Sequence, residues 1–554
     1  MYPLTHNSSP LVRHLHEILF WPLQVIPEQP EHTVNGNHWE FLKNITEQNP
    51  WEEMPSAFSS DPHTFKEQYY KEFVTFLPYV QRFLYGENRG ITGYGNSPIR
   101  VFRHREVTQV RLTPNSETPA LTLAVQQANL LFFYDIDIII LVVEVVGHDL
   151  PLPVAQEVLF KFGRTYPAFW DSSGQAGQCF QRVEWLGRNG QVLAESDYED
   201  REKYLDSVGK YRAPAIARHW EYLLRPLTLH QATTPAVLRY RQIEYHRMPL
   251  MAYLTVDDPR ELTRADFVRL ALVTRPGDSN QLPYSEASLI DFEQQYCYDR
   301  FWDPHAAHGM LNSRYLCCGH AFLLVGKAGD PFFIDPEIGL LGQFRRQYFL
   351  MCLIPHFHKA ALHLFSEQLI TAISHLDIYQ VESLKQFKRD IRKILSTFLR
   401  FTHRYWFHEV SNQAQARDLF KMLTDQLGTE QIYRDISEAV REMNQYLEGD
   451  DLRRQAETVV RLTVVMTLSI IGTVTTGFLG MNLFSAADNP LFARIIFFLL
   501  VMIPTGLLTL YTVARSKTLS EFLDVLSNEH LHWQAKAASL SKVWESRSKY
   551  SDHG

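Results

Sequence analysis

The stretch Leu462-Thr-Val-Val-Met-Thr-Leu-Ser-Ile-Ile-Gly-Thr-Val-Thr-Thr-Gly-Phe-Leu-Gly-Met-Asn-Leu483 decides how the chain is read. No charged residue lies between Arg461 and Asp488, and most positions are Leu, Val, Ile, Met, Phe, Gly or Thr. A helix needs about 20 uncharged, mainly apolar residues to cross a ~30 Å hydrocarbon core. A second run, Ile495 to Ala514, lies between Arg494 and Arg515. The pattern predicts a two-helix transmembrane hairpin, with spans at 462–483 and 494–514 joined by an outer loop at 484–493.

The flanks predict its orientation. Arg453, Arg454 and Arg461 precede the first span, Arg515 and Lys517 follow the second, and the loop Phe484 to Pro490 has no Lys or Arg. Positive charge gathers on the cytosolic side, so a multi-pass protein of the cell (inner) membrane with both termini cytosolic is expected. The tail at 515–554 reads as a mixed-charge helical extension.

Upstream, 343–461 reads as a helical stalk. Phe344 to Leu376 and Val381 to Val410 are long amphipathic segments, with Pro355 the one interruption, and Gln413 to Gln455 contains no proline. Ile432, Ile436, Val440, Met443 and Leu447 recur at three- to four-residue spacing, which places an apolar stripe on one helical face. A single helix is expected from about residue 430 to Asn482.

Residues 96–342 read as an α/β domain. Leu121 to Val125 and Leu131 to Val146 are rich in β-branched and aromatic residues, with Asp135, Asp137 and Glu144 among them. These features favour buried strands over a third span. Leu152 to Phe162 reads as a helix, and further strands are expected at Phe267 to Thr274, Ala321 to Gly326 and Pro331 to Ile334. Residues 1–95 read as an N-terminal extension of irregular structure with short helices; Pro10 to Ile26 is broken by Arg13, His14, His16 and Glu17, so it is neither a signal sequence nor a span. The fold expected overall is an α/β cytosolic domain, a long helical stalk and a C-terminal transmembrane hairpin in an oligomeric pore.

Charge and motifs narrow the function. The chain carries 54 Lys and Arg against 62 Asp and Glu, a net −8; with seven Lys or Arg and six Asp or Glu beyond Arg461, the first 461 residues carry −9. An acidic surface concentrates cations and disfavours nucleic acid. The five cysteines make no CxxC framework. No G-x-x-x-x-G-K-[ST] loop and no nucleophile–base pattern occurs, so neither an enzyme nor a cofactor is expected.

Two helices cannot enclose a water-filled path, because their backbone must be shielded from lipid. Leu462, Met466, Ser469, Thr473, Thr476 and Gly480 follow one another at three- or four-residue steps on one face of the first span. Copies of that helix around an axis would line a pore with hydroxyls, Met466 and Leu462 forming narrower apolar rings. Equally, the hydroxyls can bond to their own helix and serve packing.

Gly480-Met481-Asn482, closing the first of two C-terminal spans before a short outer loop, resembles the signature of the CorA family of divalent-cation channels. The resemblance extends over most of the chain beyond about residue 100. It implies a homopentamer with a funnel-shaped cytosolic domain, in which Gly480, Met481 and Asn482 form the outer selectivity filter and Asn482 meets hydrated Mg²⁺. Thr473, nine residues before Asn482, matches a pore-facing threonine of the family. Asp488 is the one acid of the outer loop, and Leu479 stands where the family commonly has an aromatic. The resemblance also implies that Mg²⁺ gates as well as permeates, with Asp435, Glu438, Glu442, Asp450 and Asp451 as candidate sensors.

Neutral oxygens suit this ion, because Mg²⁺ gives up its water reluctantly and can be held through its hydration shell. The expected function is conduction of Mg²⁺, with Co²⁺ or Ni²⁺ as further ions. Two alternatives stay open: a Zn²⁺ or other transition-metal transporter of the same architecture, and a non-conducting membrane-anchored scaffold. His305-x-x-His308, Cys317-Cys318-x-His320 and His356-x-His358 invite a zinc reading, but none is completed nearby in sequence.

Overall fold

The computed structural model describes residues 10–27, 38–44, 49–54, 67–86, 97–233, 238–244, 247–278, 281–305, 312–377 and 380–480, with separate positions between 490 and 511. The chain divides into two compact units, 1–439 and 440–554.

The first unit is built on one mixed sheet of 14 strands. They are β1 (Leu11–Pro27), β2 (Trp51–Glu53), β3 (Ile99–His104), β4 (Gln109–Thr113), β5 (Leu121–Phe133), β6 (Ile138–Pro151) and β7 (Arg182–Leu186). The rest are β8 (Val192–Glu195), β9 (Thr228–Leu229), β10 (Leu238–Gln242), β11 (Leu250–Val256), β12 (Cys297–Tyr298), β13 (Arg314–Cys318) and β14 (Ala321–Lys327). The main path runs β12-β13-β14-β11-β1-β6-β5-β4-β7-β8. The pairs β11/β14 and β9/β10 are parallel, and the other pairs are antiparallel.

Six helices carry the core packing and the candidate residues: α1 (Leu152–Lys161), α2 (Arg264–Leu272), α3 (Phe349–Ser374), α4 (Val381–Arg404), α5 (Ala414–Leu427) and α6 (Thr429–Gly480). β1 and β6 pair along almost their whole length and lie at the centre of the sheet. Both faces of β1 are buried, so its sequence lacks the polar alternation of a half-exposed strand. Leu15, Leu19 and Leu23 pack with Leu141, Val143 and the α1 residues Ala155 and Val158. On the opposite face Phe20 stacks on Phe349 and His356 of α3, and Phe133 stacks on Phe357 with ring centroids 4.1 Å apart. Each such buried side chain contributes about 1.5–3 kcal/mol. Gly428, at φ +65°, ends α5 in the left-handed conformation and lets α6 begin at once.

Several expectations are corrected. The fold is a large mixed sheet of 14 strands plus helices, and among the described residues no helix is long and apolar enough to cross a membrane, so the two-helix transmembrane hairpin is not seen. Among the described side chains of α6 after Arg461, Thr463, Ser469, Gly472, Thr473, Thr476, Gly477 and Gly480 stand beside Leu462, Val464, Val465, Met466 and Ile470. The expectations of a multi-pass inner-membrane protein with cytosolic termini, and of a membrane channel, are overturned by the same finding.

Within the extension read as irregular, β1 is the strand at the centre of the sheet, because burial on both faces removes the period that sequence reading looks for. Phe267 to Thr274, expected as a strand, falls largely in α2, where Thr263 and Asp266 form a reciprocal capping box. Pro331 to Ile334 is a single helical turn capped by the Asp330 carboxylate, which accepts from the Phe332 and Phe333 amides.

Candidate functional site

The candidate residues that the structure describes all lie on α6. Steps of three or four residues at about 100° each keep Leu462, Met466, Ser469, Thr473, Thr476 and Gly480 within an arc of about 80°. All six are exposed, and Gly480 has open space where a Cβ would stand. From Leu462 to Gly480 the face extends about 27 Å at the helical rise. Met481, Asn482 and Asp488 lie outside the described residues.

The hydroxyls are oriented by the helix itself. Thr473 Oγ1 donates to the Ser469 carbonyl at 2.7 Å, and Thr476 Oγ1 donates to the Gly472 carbonyl at 2.9 Å. Thr463 Oγ1 does the same to Val459, also at 2.9 Å. A hydroxyl that has given its proton to the preceding turn keeps its lone pairs for an outside donor. The face is therefore a ladder of neutral acceptors. It suits partners that present O–H groups, as the water shell of a cation does.

Lower on α6, Ile436, Val440 and Leu447 are buried and Asp435, Glu438, Glu442 and Glu448 are exposed. Asp435 accepts from Gln431 and Glu448 from Asn444, both at 2.7 Å along the helix. The side chains of Asp450 and Asp451 lie outside the description.

The histidine and cysteine motifs are dispersed into the core. Cys317 and Cys318 are buried in β13, where burial pushes both thiols up and Cys318 Sγ donates to the Ala271 carbonyl. His320 contacts Arg247. Burial pushes His356 and His358 down to about 3, so both are neutral; His356 stacks on Phe20, and His358 Nε2 donates to the Tyr405 carbonyl at 2.5 Å. His305 is exposed and His308 lies outside the described residues. Among the described residues, no group of three or more His, Cys, Asp or Glu could hold a metal ion. A surface cleft of about 370 Å³ is lined by Lys71, Gln343, Gln347, Tyr348, Gln413 and Gln415, with no carboxylate to attract a cation.

The structure also assembles a buried polar cluster that sequence reading left without a role. Glu144 of β6 accepts from His16 Nε2 at 2.5 Å and from Arg345 Nε at 2.8 Å, with Gln127 as a third partner. Burial would raise its carboxyl, but the His16 hydrogen bond and the charges of His16 and Arg345 outweigh burial and hold it below the ordinary value. Arg345 sits in a π-helical turn, residues Phe344–Tyr348, so the cluster fastens the start of α3 to the centre of the sheet. On the opposite face Glu17 is fully buried and neither oxygen accepts a hydrogen bond; desolvation pushes it up to about 8 against the opposing charge of Arg247. The sequence signal for both was a carboxylate set inside an apolar run.

The chain matches no family model and no curated protein.

Proposed function

We propose that the protein passes hydrated divalent cations, Mg²⁺ first, along the polar face of α6 in a homo-oligomer. One observation carries this reading: Ser469, Thr473 and Thr476 share an exposed face, and the threonine hydroxyls turn their lone pairs outward. Mg²⁺ in its octahedral water shell presents O–H donors, which such acceptors can meet without stripping the ion. Neutral oxygens also hold the ion weakly enough to release it. Copies of the helix around an axis would multiply these acceptors into rings, and the resemblance of Gly480-Met481-Asn482 to the CorA signature supports five copies with Asn482 as the first ring. The role is one of ion passage, without bond-making chemistry or a resident cofactor.

The test is dye-reported Mg²⁺ accumulation in cells expressing the full chain, Asn482→Ala or Thr473→Val. Accumulation above control cells with the wild type, falling back to control with Asn482→Ala and reduced with Thr473→Val, is the expected result. Accumulation that is absent with the wild type, or identical in all three, overturns the reading.

A further inference from the structure

Away from α6, β1 and β6 bring two histidines face to face. His14 and His148 are direct partners in the antiparallel register, and their Nδ1 atoms stand 3.3 Å apart with ring centroids at 4.8 Å. β1 shifts its register against β11 between Val12 and His14, the kind of irregularity that re-aims a side chain. His14 is half-buried and His148 is exposed, so the pair lies open to solvent on one side.

We propose that His14 and His148 form a transition-metal site, taking Zn²⁺ or a similar borderline cation through their two Nδ1 atoms. Imidazole nitrogens bind Zn²⁺ at about 2.0–2.1 Å. Two such bonds to atoms 3.3 Å apart enclose an angle of about 107°, close to the tetrahedral value zinc adopts. The rings therefore hold the separation that a shared ion requires. Water fills the remaining positions on the side of His148. Mg²⁺ is excluded from this role, because it prefers oxygen ligands in an octahedron.

The proton balance is simple. Without metal, the two Nδ1 atoms share one proton, one ring donating and the other accepting. Metal binding needs both Nδ1 lone pairs, so that proton passes to the same ring's Nε2 or to water. Desolvation, together with the charges of His16, His148 and Arg345, pushes His14 down to about 4, so the ring is neutral and competent as a ligand at neutral pH. Its Nε2 is buried and makes no hydrogen bond. Lack of that outer partner weakens a metal site about 10- to 100-fold. With two protein ligands, the site is a labile one rather than a structural centre.

The site is independent of the reading of α6, and the experiment keeps them apart. Zn²⁺ binding to the purified full chain is followed by calorimetry and Co²⁺ binding by its visible ligand-field bands. The comparison set is His148→Ala, His14→Gln, Asn482→Ala and, as a control among exposed histidines, His305→Ala. His148 is exposed, so its loss leaves the core intact, which circular dichroism checks. Expected are tetrahedral-type Co²⁺ bands in the wild type, His305→Ala and Asn482→Ala, with Zn²⁺ affinity lowered at least about tenfold in His148→Ala and His14→Gln. Equal affinity in folded His148→Ala and wild type, or a wild type without Co²⁺ bands, overturns the site.

Discussion

Glu144 in the sheet and Thr473 in α6 are both polar residues set in apolar stretches of sequence, and the two regions treat them in opposite ways. Glu144 is buried and held by His16, Gln127 and Arg345, three partners from other parts of the chain. Thr473 is exposed and satisfied by the carbonyl of Ser469, one turn earlier in its own helix. In the sheet, a polar group is tolerated because tertiary neighbours neutralise it. In α6, the helix supplies the partner and leaves the outward side free. The first arrangement stores stability; the second keeps a surface available for a ligand or another copy.

The largest expected effect comes from disrupting the first arrangement. Glu144→Ala leaves His16 and Arg345 without their shared acceptor and is expected to lose about 3–5 kcal/mol in urea unfolding followed by fluorescence of the buried Trp185 and Trp220. The depressed Glu144 carboxyl adds a pH signature: its stabilisation is present above the ordinary value of 4.5 and is lost as pH falls through the lower folded value. A loss no larger than that of a surface substitution would remove the contrast between the regions.

Glu17 tests the contrast from the other side, being a buried carboxyl without a hydrogen-bond partner. Its folded value of about 8 lies above the ordinary 4.5, so its contribution is fully present below 4.5 and declines as pH rises to 8. Glu17→Gln should remove that decline, which amounts to at most about 1.4 kcal/mol per pH unit. Unfolding curves at pH 5 and pH 8 with the same stability difference in both proteins would show that Glu17 is solvated or paired in solution.

The smallest effect is expected on α6. Thr473→Val should change unfolding stability by no more than about 0.5 kcal/mol, because the residue is exposed and bonded only to its own helix. On the proposed function, the same variant should lower Mg²⁺ accumulation in the cell measurement. A large stability loss with unchanged accumulation would make the hydroxyl a packing group.

Legibility tracked the range of the interactions involved. The helical stretches were readable because their 3.6-residue period is local: the long run through Ile436, Val440 and Leu447 is α6, with those three residues buried. Leu131 to Val146 reads as strand from its β-branched and aromatic run; the structure divides it between the end of β5 and β6, with a turn at residues 134–137. β1 was not readable, since His14, His16 and Glu17 look like interruptions until the partners on β6 and α3 are in place. Phe267 to Thr274 reads as a strand by its apolar density, whereas the Thr263–Asp266 capping box starts α2 just before it.

Local pattern alone was enough for the helical periodicity and the hydroxyl-bearing face from Ser469 to Thr476, both encoded within a few residues of one another. Folding in three dimensions had to make β1 central, neutralise Glu144 with groups 128 and 201 residues away, and bring His14 to His148. The reason is physical: strand pairing and buried charge compensation join residues far apart in the chain, and no local pattern records which distant partner will be there.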